Sequence, residues 1–529
     1  MKNLNNLIGG DLYPSNGTHR PGEVVKIILE LEAGSEQQLS LEWKVYSGLT
    51  LVQHVHEIRQ VQPGSNQFAF YWQPPIKSPA GYGVELTLTG HDTPQTFSTA
   101  FDVLTAWTQF PRYGFLCDFF ADRVDEDLTM STLAKYHING LQFYDWQYRH
   151  DQLVPPQEDY LDPLGRPLSL ARIRALIAAA HRHGMAAMPY LTIYAASAAF
   201  WKSHPEWMLY DKDQHPIPFG EDFLGIMNPQ KNGPWHQHLL AECESVLAAL
   251  PFDGLHIDQF GEPKLGYDHA MQAVDIPLAF GDFISAVSTR HPQAAIVFNA
   301  VGNWPIETLA PSATTYNYIE IWPPDIYYTD LVRIVRNARR LSAGKPVVIA
   351  LYIPATRPVN NLLANALIIS AGGTRIELGE NARLLTDPYF PEHEEMSAEL
   401  ACAIRKQNDF IVRFEEWFGP LLEETSPAFL TLPAGIQTFY RKGASIASLS
   451  LVNLISPAPL AWNVDTPAPG QLDPFEIIIG LDACPKSVSS VNPAGETISP
   501  SPVEFSYQNG HCTIKILGLS LWMVLLIEF

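Results

Sequence analysis

The chain has 529 residues, 46% of them hydrophobic and 17% charged, which describes a folded protein of roughly two to four domains and excludes a disordered one. A formal net charge of −22 excludes a nucleic-acid partner, because a phosphate backbone needs a basic face, and disfavours an anionic membrane surface. Five scattered cysteines (Cys117, Cys243, Cys402, Cys484 and Cys512) without CxxC spacing argue against a disulfide framework and a structural zinc.

Met1–Asp11 has no apolar run of signal-peptide length, and no segment approaches the roughly 20 apolar residues of a membrane span. A cytoplasmic protein without a membrane partner is expected; the oligomeric state is unknown. The first 105 residues read as β-structure. Val24–Leu31, Leu39–Tyr46, Phe68–Trp72 and Gly83–Thr89 are short strands separated by turns such as Gln62-Pro63-Gly64. That spacing predicts an immunoglobulin-like β-sandwich over residues 1–105.

From residue 106 the period changes. Strand candidates at Arg112–Phe119, Ile138–Tyr144, Ala186–Tyr194, Phe252–Ile257, Ala295–Val301, Thr315–Ile321, Pro346–Tyr352 and Gly373–Leu378 alternate with helical patterns such as Leu170–His183, which stops at the capping residue Gly184. Eight βα units predict an α/β fold, a (β/α)8 TIM barrel over residues 106–423. An open doubly wound sheet is the alternative; against it, no glycine-rich phosphate turn follows the first strand. After Trp417 the pattern returns to strands at Ala434–Tyr440 and Ser445–Val452, with Pro-rich turns at Ser456–Pro459 and Ser499–Pro502. The run Ile514–Ile527, broken by Lys515 and Gly518, reads as two terminal strands, and a second β-sandwich is predicted over 424–529.

In parallel α/β folds the reacting groups sit where strands end, and there the chain places a conspicuous polar set. Asp258 leaves an apolar strand just before the break Gly261-Glu262-Pro263; the plainer reading is an Asp that caps the next helix. Tyr144-Asp145-Trp146 with Arg149-His150-Asp151, then Tyr194, Asn299, Glu320 with Trp322, Tyr352 and Arg375-Ile376-Glu377 end the other strands. Two carboxylates on nearby strand ends, Asp258 and Glu320, suit glycoside hydrolysis: one attacks or stabilises the anomeric carbon while the other stays protonated for the leaving oxygen. Crowding in a partly apolar pocket should push one pKa up, and neighbouring aromatics offer flat faces to sugar rings. Plainer alternatives are a loop ion pair of Asp145 with Arg149, a hydrogen-bonded loop His150 and a structural Arg375–Glu377 pair. No cluster has catalytic-metal spacing, since His181 and His183 fall on different helix faces; neither a metal nor another cofactor is expected.

Taken in order, Leu141–His150, Phe252-Asp253-Gly254 through Asp258, Tyr318-Ile319-Glu320-Ile321-Trp322, Gly372–Glu380 and Asp387-Pro388-Tyr389-Phe390-Pro391 resemble stretches of glycoside hydrolase family sixty-six, the dextranases and cycloisomaltooligosaccharide glucanotransferases. The resemblance covers the whole predicted barrel. It implies a retaining double displacement on α-1,6-glucosidic linkages of a neutral oligosaccharide or polysaccharide, with Asp258 as nucleophile and Glu320 as general acid/base. Asp145, Trp146, His150, Asn299 and Glu377 would line the sugar subsites; apart from the resemblance, the strand-end rings of Tyr194, Trp322 and Tyr352 are further candidates for substrate binding. The chain shows no domain-sized insertion of the kind the cyclising members carry, which favours hydrolysis of dextran or isomaltooligosaccharides, linear or cyclic. The missing signal-peptide pattern favours short, imported substrates over long dextran. Alternatives are cyclising transglycosylation, an α-amylase-type barrel (which places Arg where this chain has His256) and a non-catalytic carbohydrate-binding barrel.

Overall fold

The computed structural model describes residues 7–90, 94–418, 422–455, 460–495 and 497–529; the turn expected at Ser456–Pro459 lies outside them. Seven strands open the chain: β1 (Leu7–Pro14), β2 (Val25–Ala33), β3 (Gln37–Ser47), β4 (Thr50–Val61), β5 (Gly64–Trp72), β6 (Ala80–Thr89) and β7 (Gln95–Val103). They form a three-stranded sheet, β1-β2-β5, and a four-stranded sheet, β4-β3-β6-β7. Leu39, Leu41, Trp43 and Val45 alternate on β3 and are buried, and Trp43 stacks on Phe70 of the other sheet at 5.0 Å. The apolar faces of the two sheets thus meet in one cluster, as period-2 patterning requires.

A curled ten-stranded sheet follows: β8 (Tyr113–Leu116), β9 (Gly140–Phe143), β10 (Ala186–Thr192), β11 (Gly254–Asp258), β12 (Ala295–Val301), β13 (Asn317–Glu320), β14 (Val347–Ala350), β15 (Thr374–Ile376), β16 (Leu378–Gly379) and β17 (Arg383–Leu384). β8 to β15 pair in sequence order and in parallel; β16 pairs in parallel with β8, and β17 returns antiparallel on β16. Glu377 alone separates β15 from β16, so one segment pairs with both ends of the strand series. The expected strand Gly373–Leu378 is therefore two short pieces. Between the strands lie α1 (Glu126–Ala134), α2 (Leu170–Arg182), α3 (Pro234–Ala249), α4 (Ile276–Arg290), α5 (Ile306–Leu309), α6 (Tyr328–Leu341) and α7 (Pro358–Ser370), and α8 (Ala398–Arg413) follows the last strand. On α2 the buried set Leu170, Ile173, Leu176, Ile177 and Ala180 lies at helical spacing, and Gly184 takes the left-handed φ of 68° just past its end.

Side-chain parity decides what each strand delivers. Leu255 and Ile257 of β11, Ile296 and Phe298 of β12, and Ile319 of β13 face the helices. The alternate residues Met188, Val297, Tyr318, Val348 and Ile376 gather with Tyr113 and Phe115 in an inner cluster. His256 sits among them, 4.7 Å from the Tyr318 ring and hydrogen-bonded with Tyr113 Oη at 3.2 Å, and burial pushes its pKa down to about 3, so the ring is neutral. Two residues further on, the same inward positions are Asp258, Asn299 and Glu320, and Tyr352 follows four residues after Val348, just past the end of β14.

After α8 the chain builds a six-stranded and a four-stranded sheet around a third apolar cluster. The terminal run divides between them, His511–Ile516 in the smaller sheet and Trp522–Glu528 in the larger. α8 packs on β6 and β7, where buried Asp409 accepts from Thr99 Oγ1 (3.0 Å) and pairs with His137 Nε2 (2.8 Å).

At the first residue of β11 a side chain has no room: a Cβ on Gly254 would sit 2.0 Å from the Ala295 carbonyl oxygen of β12. Gly254→Ala must push apart the strands that carry Asp258 and Asn299, and is expected to destabilise the fold by ~1–3 kcal/mol in denaturant titration. Gly470→Ala, where nothing lies within 4 Å, is expected to stay within ~0.5 kcal/mol. Equal effects of the two would contradict the packing argument.

Candidate active site

Asp258 closes β11, Asn299 stands on β12 and Glu320 closes β13, three adjacent strands in register. Asn299 Nδ2 donates to Asp258 Oδ1 and to Glu320 Oε2, each at 2.9 Å. The two carboxylate oxygens are therefore at most ~5.8 Å (twice 2.9 Å) apart, and about 5 Å for two amide hydrogens 120° apart. Each carboxylate has further donors. Tyr190 Oη gives a hydrogen bond to Asp258 Oδ2 (2.8 Å) and the Gln259 N–H one to Oδ1 (2.9 Å); Tyr352 Oη gives one to Glu320 Oε1 (2.7 Å).

These environments set the two acids apart. Burial pushes Glu320 up to about 7, the charge of Asp258 pushes the same way, and the donors of Tyr352, Asn299 and Trp322 pull against both. Burial also raises Asp258, opposed by Tyr190, Asn299 and the Gln259 N–H. Three donors aimed at Asp258 favour its ionised form, while Glu320 faces a neighbouring negative charge. The first proton lost by the pair therefore belongs mainly to Asp258 and the second to Glu320.

Asp145 follows β9 in a left-handed conformation (φ 52°). Burial pushes its carboxyl up to about 7 against the Arg166 guanidinium, 3.8 Å from Oδ2, and the charge of Asp258 adds to the rise. The partner of Asp145 is thus Arg166, 21 residues on, and not the adjacent Arg149, whose Nη1 takes the Tyr148 and Leu161 carbonyls. Gln147 connects Asp145 to His150, its Nε2 donating to Nδ1 at 3.2 Å. Burial takes His150 down to about 4, so it is a neutral acceptor.

Tyr194 lies beside the end of β11, between Phe260 (5.4 Å) and Phe219 (5.5 Å). On the Glu320 side Trp322 is 38% exposed and 6.0 Å from the Tyr352 ring. Two expected subsite residues are not brought to this cleft. Trp146 is fully buried, with its indole N–H on the Tyr190 carbonyl (3.0 Å) and its ring against Phe252, so it offers a sugar no face. Glu377 alternates with inward Ile376 and therefore faces the helices, where Asn365 Nδ2 and Arg375 hold it; the structural Arg375 pair is the one formed.

Several cleft residues carried no signal as single letters. Tyr190 is in phase with Met188 on β10, and the parity of that strand would have marked it. Phe219 and Phe223, 40% and 41% exposed, flank a hairpin tip. There Gly220, Glu221 and Asp222 all take positive φ, a conformation costly for the latter two. Among the described residues one group of metal-type donors stands together, Cys117, Asp118 and Glu380. Glu380 is already held by Arg123 (2.7 Å) and by the N–H groups of Cys117 (2.8 Å) and Asp118 (3.1 Å).

Two carboxylates about 5 Å apart at the strand ends of a parallel sheet, Glu320 buried and Asp258 half-buried, rimmed by exposed aromatics, equip an enzyme acting on glycosidic bonds. The chain belongs to glycosyl hydrolase family 66, whose family model matches residues 16–526. Two cycloisomaltooligosaccharide glucanotransferases from Niallia circulans are 27% and 28% identical to it over 377 residues, 65% of this chain. The chain spans 38% of those relatives' length. A crystal structure of a cycloisomaltooligosaccharide glucanotransferase from Paenibacillus sp., complexed with cycloisomaltoheptaose, shares the fold with a TM-score of 0.89 at 18% identity, covering 99% of both chains. An α-amylase from Anoxybacillus is more distant, with a TM-score of 0.51 at 11% identity over 80% of this chain and 98% of its own.

Holding Glu320 up near 7, above its unfolded value, makes it a pH-dependent load on the fold. Its contribution to stability is fully present below the unfolded value of about 4.3 and is lost as pH rises through about 7. Glu320→Gln removes that dependence, so its melting temperature relative to the native chain is expected to climb between pH 4.5 and 8. A difference that stays constant across that range would contradict the assignment.

Proposed function

We propose that this protein cleaves α-1,6-glucosidic linkages of dextran or isomaltooligosaccharides, linear or cyclic, by a retaining double displacement. The observation that carries the reading is the single amide of Asn299 bridging Asp258 and Glu320 at 2.9 Å each. Retaining glycosidases hold their carboxyl groups ~5–5.5 Å apart, whereas inverting ones leave ~6.5–9.5 Å for a water.

In the proposed reaction Asp258 attacks the anomeric carbon, the bond to the leaving glucosyl oxygen breaks, and that oxygen takes the proton of Glu320. Glu320, now ionised, removes a proton from an incoming water or sugar hydroxyl. The oxygen of that acceptor attacks the anomeric carbon, and Asp258 leaves with the electrons of the ester bond. Asn299 favours both ionised carboxylates, Tyr190 steadies the nucleophile and Tyr352 the acid. Asp145, kept near the rim by Arg166, together with His150, Tyr194, Trp322, Tyr352 and Phe219, supplies polar and flat contacts for the sugars.

We further propose that the ten-stranded sheet closes as a (β/α)8 barrel, supported by the pairing of β15 with β14 and of β16 with β8 across the single residue Glu377. Residues 1–105 and 424–529 would flank it as separate β-domains, supported by their own apolar clusters. Between the strands, the long connection from β10 to β11 holds a small three-stranded sheet (Ala195–Ser197, Pro218–Phe219, Leu224–Ile226) and no domain-sized insertion, which favours water as the acceptor. Transfer to a sugar hydroxyl is the second reading. It is supported by the named glucanotransferase relatives and by the exposed Trp322 and Phe219 rings, which could seat an acceptor sugar.

Incubation with linear dextran, a short isomaltooligosaccharide, a cyclic one and starch is expected to give isomaltooligosaccharides from the α-1,6 substrates and nothing from starch. Asp258→Asn and Glu320→Gln should each lower the rate by ~10³-fold or more. Cleavage of starch alone, or of none of the four, would contradict the proposal. Because Glu320 must carry a proton, kcat/KM is expected to fall as pH rises through about 7. Tyr352→Phe removes a donor to the ionised form, which raises the pKa and moves that alkaline limb to higher pH; an unmoved limb or one shifted down would contradict the role of Tyr352.

A further inference from the structure

Away from the cleft, an unusual share of the positive charge of this acidic chain collects in one place. Helix α6 carries Arg333, Arg336, Arg339 and Arg340 in two turns. Its last turn lies at the end of the parallel sheet opposite Glu320, since β13 and α6 run in opposite directions. There α6 and the strands Glu423–Thr425 and Ile436–Lys442 of the C-terminal six-stranded sheet wall an open groove of about 650 Å³. Arg336, Arg339, Glu424, Ser426, Thr438 and Tyr440 line it.

Two guanidiniums at this groove, that of Arg339 in its wall and that of Arg441 beneath it, are poorly neutralised. Among the described residues Arg339 makes one hydrogen bond, from Nη1 to the Gly372 carbonyl (3.1 Å). Arg441, fully buried beside it, donates to the carbonyl oxygens of Leu422 (3.3 Å) and Ser370 (3.1 Å) and, among the described residues, finds no acceptor for Nε. Both side chains pack on the same glycine: a Cβ added to Gly372 would meet Arg441 Nη2 at 2.8 Å and Arg339 Nε at 3.1 Å. Among the described residues Glu424 is the carboxylate that pairs with this group. It is already engaged by Arg336 through Nε (2.9 Å) and Nη2, and stands 3.8 Å from Arg441.

Three guanidiniums thus share one carboxylate, a local surplus of two positive charges in a chain of net charge −22. Arginine stays charged near neutrality, so like charges packed this closely are relieved by a counter-anion and not by loss of a proton.

We propose that this groove binds a phosphomonoester dianion through Arg336 and Arg339. A phosphate monoester carries about −1.5 to −2 near neutral pH and three acceptor oxygens, which matches the surplus, the Nε and Nη2 donors of Arg339 and the Nη1 donors that Arg336 does not give to Glu424. The hydroxyls of Ser426, Thr438 and Tyr440 can serve the remaining oxygen or the hydroxyls of an esterified sugar. A neutral sugar would leave the guanidiniums unpaired, and one carboxylate would neutralise only half of the surplus. Because the groove joins α6 to the C-terminal sheet, an occupant would also tie those two elements together and raise the melting temperature by linkage. The proposal does not rest on the reaction assigned to the cleft.

The test is calorimetric titration and thermal melting of the full chain with inorganic phosphate, glucose 6-phosphate and glucose, with sodium chloride matching the ionic strength. Saturable binding and a raised melting temperature are expected with both phosphates, and neither with glucose nor with chloride. Arg339→Gln and Arg336→Gln should each weaken binding by about tenfold or more, the loss of a charge-assisted hydrogen-bond pair. Tighter binding of glucose 6-phosphate would mean that the hydroxyl wall holds the sugar; equal binding would mean that the phosphoryl group alone is recognised. Absence of saturable binding up to about 10 mM phosphate, weaker than any useful site at roughly −3 kcal/mol, would overturn the proposal. So would affinities unchanged in both variants.

Discussion

Asn299 stands on the strand between those of Asp258 and Glu320 and gives one amide hydrogen to each carboxylate, and the rest of the site is arranged around that position. Two acidic side chains drawn into a desolvated cleft repel each other. Here the repulsion is met by a donor common to both and by one tyrosine for each, Tyr190 and Tyr352. The strands β11, β12 and β13 bring the three side chains together because each turns its residue inward, Glu320 one inward position beyond the residue that faces Asn299. The closeness of Asp258 to Asn299 depends in turn on Gly254, which lets β11 lie against the backbone of β12. Backbone packing at one end of the strand and side-chain chemistry at the other are thus parts of one constraint.

The same arrangement explains why the two acids differ. Asp258 receives three donors that favour its charge, and Glu320, with the charge of Asp258 beside it, holds its proton to about neutrality. A site of this kind carries a cost for the fold, because a buried carboxyl held near 7 is destabilising whenever solution pH would ionise it. The neutral His256 behind the pair and the tyrosines around it are large, polar-tipped groups that fill the interior beneath the cleft without adding charge.

Much of this was legible in the sequence, and for reasons that can be named. Strand and helix patterns located the eight βα units because buried parallel strands are short apolar runs and surface helices repeat every 3.6 residues. Asp258 and Glu320 were legible because a charged residue at the end of an apolar run is conspicuous. Glu377 looked equivalent, yet it is out of phase with Ile376 and faces the helices; parity, not position at a strand end, separates the two cases. Trp146 misled because an aromatic beside an acid reads the same whether its ring faces a sugar or the core. The pairing of Asp145 with Arg166 crosses a loop and a hairpin, and no local pattern announces it. The groove at Arg339 and Arg441 joins residues about 100 positions apart and belongs to tertiary structure alone.

The claim most open to direct test is that one amide fixes the carboxylates close enough for a covalent intermediate and too close for an intervening water. Proton NMR of the reaction mixture, recorded before mutarotation, reads the anomeric configuration of the first sugar released from an α-1,6-linked substrate. The geometry at Asn299 predicts that the α configuration appears first and the β anomer only as the product equilibrates. A product that is first β would contradict the account, and would require the two carboxylates to work on opposite sides of a water molecule.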